Sequence, residues 1–199
     1  MKSYIITKKP QQLDWAQIPT LNIDTCLWLA DAGVKATAKL CYDSEAIYVH
    51  MEAQEANIRA EESGENGMPC LDSCLEFFFC PIPGNKNYIN IEMNPNCCMY
   101  LGIGKDRYDL IRLLPNEENI LSAKAEKTES GWKLDYAIPA AFLRRFFPEF
   151  KAESGAMICG NFYKCGDETV QPHYYSWNPV ELVDPDFHRS EFFGKLYFE

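Results

Sequence analysis

No run of lysine and arginine appears anywhere in the 199 residues, and 29 acidic against 19 basic side chains leave a formal charge of −10. Such a chain repels phosphate, which argues against nucleic acid and anionic membrane as partners. No apolar stretch reaches the roughly 18 uninterrupted residues of a membrane-spanning helix. The opening segment, Met1-Lys2-Ser3-Tyr4-Ile5-Ile6-Thr7-Lys8-Lys9-Pro10, has too short an apolar run for a signal peptide. The expected location is therefore cytoplasmic, with a secreted or periplasmic one only if a leader has been removed. Paired metal-ligand spacing is also missing. Cys70 and Cys74 are separated by three residues, Cys97 and Cys98 are adjacent, and the three histidines are scattered, so no metal site is assigned. Nine cysteines are an odd number in a chain long enough to need no staples, and reduced thiols are expected. Helical periodicity is nearly absent.

What the chain has is apolar content, 47% hydrophobic with 14% aromatic residues, enough for one sizeable core in a single domain spanning 1–199. Alternation at period two predicts strands over 25–30, 36–42, 46–53, 73–80, 88–93, 99–102, 121–127, 132–137, 157–164 and 193–198. Asp43-Ser44, Pro83-Gly84-Asn85, Asn94-Pro95-Asn96 and Ser130-Gly131 supply the turns between them. One short helix is expected over 140–146, led in by Pro139 and stopped by Pro148. The fold class that follows is all-β, an antiparallel β-sandwich of immunoglobulin-like or jelly-roll-like type with one short helix.

Two long irregular stretches remain, 54–71 and 165–192. The first, with Gly64 and Gly67 among acidic residues, reads either as a mobile lid or as a solvated surface loop. The second holds His173, Tyr174, Tyr175, Trp177, Phe187 and His188, and aromatic density of that kind must be buried or must contact a ligand.

Strand parity selects candidate site residues. Cys74, Glu76, Phe78 and Cys80 share one face of their strand, and Tyr88, Asn90, Glu92 and Asn94 share one face of the next. If these strands pair, Glu76 and Glu92 meet on a face of acids, amides and aromatics. That is either a surface suited to sugar hydroxyls and ring faces or the wet side of a half-exposed sheet. His173, Tyr175 and Trp177 alternate with Tyr174 and Ser176. Trp177, ahead of Asn178-Pro179, is either an edge indole on which a ring could stack or a core residue. Lys164, opposite in parity to Tyr163, is either a donor to the ligand or a solvated side chain.

Several segments together resemble family 9 carbohydrate-binding modules, in the same order from about residue 24 to the end. They are Leu71-Asp72-Ser73-Cys74-Leu75-Glu76-Phe77-Phe78-Phe79, Tyr88-Ile89-Asn90-Ile91-Glu92-Met93-Asn94, Gly131-Trp132-Lys133-Leu134-Asp135-Tyr136-Ala137-Ile138-Pro139, Asn161-Phe162-Tyr163-Lys164-Cys165, Tyr175-Ser176-Trp177-Asn178-Pro179, Pro185-Asp186-Phe187-His188-Arg189 and Phe192-Phe193-Gly194-Lys195-Leu196. The resemblance implies a β-sandwich that binds sugars without cleaving them, often attached to glycan-degrading enzymes. It implies that two tryptophans clamp the ligand, Trp177 being one, and that Glu76 is the ligand-bonding carboxylate. Residues 54–71, where the second clamp is expected, contain no aromatic residue, which implies weaker or differently shaped sugar binding. Some members carry structural calcium; no spaced Asp/Asn ligand series is present, and calcium stays unassigned, with no other cofactor expected. The ligand-binding set is thus Trp177, Glu76, Asn90, Glu92, Asn94, Lys164, His173 and Tyr175, for a mono- or oligosaccharide or a chain end. Two other classes remain open: a glycoside hydrolase using Glu76 and Glu92, and a protein-interaction sandwich whose aromatic loop is the interface. Oligomeric state is not readable.

Overall fold

The structure is a computed structural model that describes residues 1–114 and 119–199. In chain order its strands are β1 (Ser3–Lys8), β2 (Leu21–Ile23), β3 (Thr25–Cys26), β4 (Lys35–Tyr42), β5 (Ala46–Gln54), β6 (Cys74–Cys80), β7 (Tyr88–Met93), β8 (Met99–Gly104), β9 (Leu110–Arg112), β10 (Lys124–Lys127) and β11 (Gly131–Pro139), followed by helix α1 (Ala140–Phe146), then β12 (Met157–Gly166), β13 (His173–Ser176) and β14 (Gly194–Phe198). The fold is a β-sandwich whose layers are continuous through β1. One layer runs β10-β11-β5-β4-β1 and the other β1-β14-β12-β6-β7-β8-β9.

The expectation of a purely antiparallel sandwich is corrected at β1, which pairs parallel with both β14 and β4. Its sequence alternates, burying Tyr4 and Ile6 and exposing Ile5, so the period was there to be read. Other boundaries moved for local reasons. The strand expected over 25–30 stops at Cys26 because Trp28 takes a left-handed backbone, φ 56°. The one expected over 121–127 begins at Lys124, because Asn119 and Ser122 both adopt φ 50° in a turn closed by Ala123 N–H donating to Asn119 Oδ1 at 2.6 Å. The helix falls where expected. Among the described residues no helix is long and apolar enough to cross a membrane.

The core lies between the layers. β4, β5 and β11 send in Leu40, Val49, Met51, Leu134 and Ile138, and β6, β7, β12 and β14 send in Phe77, Phe79, Ile91, Phe162 and Leu196. Phe77 stacks on Phe162 at 4.2 Å between ring centres and on Phe79 at 4.6 Å. The outer face of the second layer is buried too. A smaller cluster there packs Phe78, Tyr88 and Tyr163 against Leu27, Val180 and Phe193 of the chain that crosses over them. The candidate site lies on this covered outer face.

Segment 54–71 is not loose. Buried Asp72 accepts from the backbone N–H of Glu61 at 2.9 Å and Glu62 at 2.8 Å and pairs with Arg59, while Ser73 N–H donates to Arg59 C=O at 3.0 Å.

Candidate functional site

Because β6 and β7 pair with Glu76 directly opposite Glu92, period two puts both carboxyls on the outer face. β12 extends that face, with Tyr163 opposite Glu76 and Cys165 opposite Cys74. Over this floor lies a cavity of about 300 Å³. Glu76, Glu92 and Cys165 form its base, Trp28, Tyr174 and Phe187 one wall, and Tyr100, Arg107, Asp167 and His188 much of the remainder.

The aromatic wall is assembled from distant segments. Phe187 stacks face to face on Tyr163 at 4.1 Å, Trp28 lies 5.4 Å from Phe187, and Tyr174 meets Trp28 edge-on at 5.6 Å. Trp28 is half-buried, and its indole N–H donates to Leu182 C=O at 2.9 Å. A left-handed conformation is costly for so bulky a residue, and Leu27 N–H, donating to Tyr174 C=O at 2.9 Å, helps hold it. The chain accepts this strain where it turns an indole toward a cavity. Trp28 was missed because continuing the alternation through 25–30 treats it as one more strand residue. A tryptophan between Leu27 and Leu29, just before Asp31 and Gly33, was the available signal.

Both base carboxyls are held well above the usual carboxylate range. Burial is the larger cause for each; at Glu76 the charge of Glu92 adds to it, and at Glu92 the Asn90 amide, donating to Oε1 at 2.8 Å, partly offsets it. Glu92 reaches about 7. At neutral pH the pair therefore retains proton, chiefly because burial disfavours the charged forms. Such a pair can both donate to and accept from hydroxyls. Asn90 is fully buried beside Glu92, and its Oδ1 has no partner within the protein.

The other expected site residues lie elsewhere. Trp177, 4% exposed, faces the core and packs edge-on against Phe162 at 6.2 Å, so its expected stacking position is corrected. His173 and Tyr175 do share its side, as parity indicated, but that side is inward, and the residue turned to the cavity is Tyr174. Lys164 is fully buried on the inward side. Its ammonium meets Glu55 at 3.3 Å and His173 Nε2 at 2.8 Å, which rules out both a cavity donor and a solvated side chain. Tyr175 donates to Asp31 at 2.6 Å at the edge of a different depression. Asn94 is a turn-former. Its amide N–H donates to Asp72 at 2.7 Å and its carbonyl accepts from Asn96 and Cys98 N–H.

His188 gives the site a pH signature. It is half-buried against Phe78, bonded through Nδ1 to the Tyr88 hydroxyl at 2.8 Å, and desolvation, with Arg107 adding and Asp186 opposing, lowers its pKa to about 4. The folded protein thus resists a proton that the unfolded chain takes up near pH 6.5, so His188 costs no stability above that pH and increasingly more down to about pH 4. The difference in unfolding free energy between wild type and His188→Gln is expected to shift by up to about 3 kcal/mol across that window, with wild type losing more. Urea titrations at pH 7.5 and 4.5 check this; a difference independent of pH would mean that His188 titrates normally.

The sequence profile of carbohydrate-binding family 9 matches residues 7–198, nearly the whole chain. The chain belongs to that family. A solved structure of a protein from Bacteroides uniformis ATCC 8492, provisionally named as carbohydrate-binding, is 28% identical with a TM-score of 0.82, the alignment covering 100% of this chain and 99% of that one. Family 9 modules from Caldicellulosiruptor kristjanssonii, solved with cellotriose and with glucose, align at 12% identity and TM-scores of 0.71 over 100% of this chain and 94% and 96% of theirs, a likeness of fold. No curated protein sequence matches the chain.

Proposed function

We propose that the cavity over Glu76 and Glu92 binds a saccharide, as one ring or the end of a chain, without cleaving it. The observation that carries this is the juxtaposition of two buried carboxyls on neighbouring strands of the floor with a half-exposed indole held in a strained conformation at the wall. A pyranose presents both hydroxyls that donate and accept and an apolar ring face, and these match the floor and the Trp28 wall. A cavity near 300 Å³ is at the small end of ligand sites, which suits one or two rings rather than a long chain. Membership of a carbohydrate-binding family and the two remoter structures, solved with cellotriose and with glucose, support the same reading. The protein-interaction alternative loses ground because the aromatic loop spends Phe187 on Tyr163 and His188 on Tyr88, inside the molecule.

Calorimetry with glucose, cellotriose and a panel of other short glycans tests the reading. Trp28→Ala is expected to weaken binding of the best ligand about tenfold or more, with the thermal midpoint kept, since one stacked aromatic contributes about 1–3 kcal/mol. Glu76→Gln is expected to lose a similar amount. Unchanged affinity in a folded Trp28→Ala would move the ligand away from this wall. Wild type should show no turnover of that glycan; hydrolysis lost in Glu76→Gln or Glu92→Gln with binding retained would make the carboxyl pair an active site.

A further inference from the structure

We propose that Cys74, Cys165 and Glu76 form a binding site for a thiophilic divalent cation, of the Zn²⁺ type, in the floor of the cavity. Sequence spacing hides this site, because its ligands come from two strands far apart in the chain. Cys74 and Glu76 are two apart on β6 and so share a face, while the ladder sets Cys165 of β12 directly opposite Cys74. Their ligating atoms, two sulfurs and a carboxylate oxygen, all lie within 4.8 Å of one another, and all three residues are buried. Cys165 Sγ is already 2.9 Å from Glu76 Oε1. Around a tetrahedral ion with bonds of about 2.0–2.3 Å the donors stand roughly 3.5–3.8 Å apart, a spread that the present separations of at most 4.8 Å approach.

The chemistry of the donors selects the cation. Two thiolates with one carboxylate favour Zn²⁺ over Ca²⁺ or Mg²⁺, which take oxygen donors. The surroundings favour positive charge as well. Glu92, Asp167 and Asp186 line the same cavity against one guanidinium, Arg107, and the buried ammonium of Lys164 points to the opposite side of the sheet, where it pairs with Glu55. A bound cation compensates these buried acids and favours the thiolate forms of its ligands. Three protein ligands leave the fourth position toward the cavity, so the ion would sit at its base with one carboxylate oxygen of Glu76 free to face a ligand. This site shares Glu76 and the cavity floor with the saccharide reading, but it is argued from the donor geometry alone and does not rest on that reading.

The test uses full-length reduced protein stripped with a chelator and freed of saccharide. Zn²⁺ alone, titrated against a chromophoric competitor, is expected to bind with one equivalent at this site, and Co²⁺ in its place should give tetrahedral d–d bands with a thiolate charge-transfer band. Cys165→Ser, which nearly preserves volume, is expected to weaken Zn²⁺ at least about a hundredfold and abolish the charge-transfer intensity. Glu76→Gln should weaken Zn²⁺ at least about tenfold while keeping that band, and it reads the same site should Cys165→Ser fail to fold. Cys41→Ser, a buried thiol of the other layer, should change neither. Wild type without the charge-transfer band, or a band and affinity unaltered in both folded site variants, would overturn the proposal, as would loss of the band only in Cys80→Ser or Cys159→Ser. Saccharide binding measured in the presence of chelator is read separately, so failure of one inference leaves the other standing.

Discussion

Trp177→Ala is expected to lower the unfolding free energy by about 3–5 kcal/mol, the range for deleting a large aromatic from a close-packed interior. The indole is 4% exposed, lies against Phe162, and is fixed by its backbone N–H donating to Phe162 C=O at 2.9 Å. Gly194 shows how tight the fit is: a Cβ there would stand 2.5 Å from Trp177 Cζ3, so the glycine is what makes room for the ring. Gly194→Ala should therefore also destabilise, although it adds only one methyl. Urea unfolding followed by circular dichroism measures both. A Trp177→Ala protein that unfolds at the wild-type midpoint but binds saccharide more weakly would put the indole back at the surface.

The contrast between Trp177 and Trp28 shows what the sequence could say about the site. Parity was sufficient to put Glu76 opposite Glu92, because a half-polar strand facing a half-polar strand has few registers that keep Leu75, Phe77, Ile89 and Ile91 on the core side. It was also sufficient to group His173, Tyr175 and Trp177. It could not tell which side of β13 was inward, since Tyr174 and Ser176 are no more polar than the residues they alternate with. The answer came from Lys164. An ammonium buried beside Glu55 and His173 gives that side a polar interior that hydropathy patterning does not anticipate. Trp28 was only weakly marked, by the Asp31 and Gly33 that follow it, for a different reason. Its role depends on a left-handed backbone and on Leu182 and Phe187, more than 150 residues away, and no local pattern encodes either. The cysteines follow the same rule, for Cys165 meets Cys74 only through the ladder. The resemblance to family 9 modules, by contrast, was carried by segments that keep their order; it pointed to the face on which the Glu76 cavity lies, but it gave the stacking role to Trp177, which is buried in the core.

Asp72→Ala is expected to cost about 3–5 kcal/mol and to loosen the end of the cavity formed by Met68 and Cys70. The carboxylate is fully buried and accepts from four groups: the Arg59 guanidinium, the backbone N–H of Glu61 and Glu62, and the Asn94 amide at 2.7 Å. Those bonds join segment 59–62 to the turn at 94–98, and the cavity wall continues directly from them into the 3₁₀ turn Pro69–Leu71. Alanine would leave the backbone N–H groups of Glu61 and Glu62 without that acceptor and deprive the Arg59 guanidinium of its buried partner, leaving it the exposed Glu61 and Glu168, and each lost charged or buried partner costs about 1–3 kcal/mol. Asp72→Asn keeps the shape but has only one acceptor oxygen, so its loss should be about half as large. The two variants also separate anchoring from direct ligand contact, because Asp72 does not line the cavity. Saccharide affinity should fall in proportion to the disorder of 59–68, read by limited proteolysis, and should recover in Asp72→Asn to the extent that proteolytic protection recovers. Full affinity in an Asp72→Ala protein cut readily within 59–68 would mean that the ligand is held by the sheet floor and the Trp28 wall alone, with no contribution from this segment.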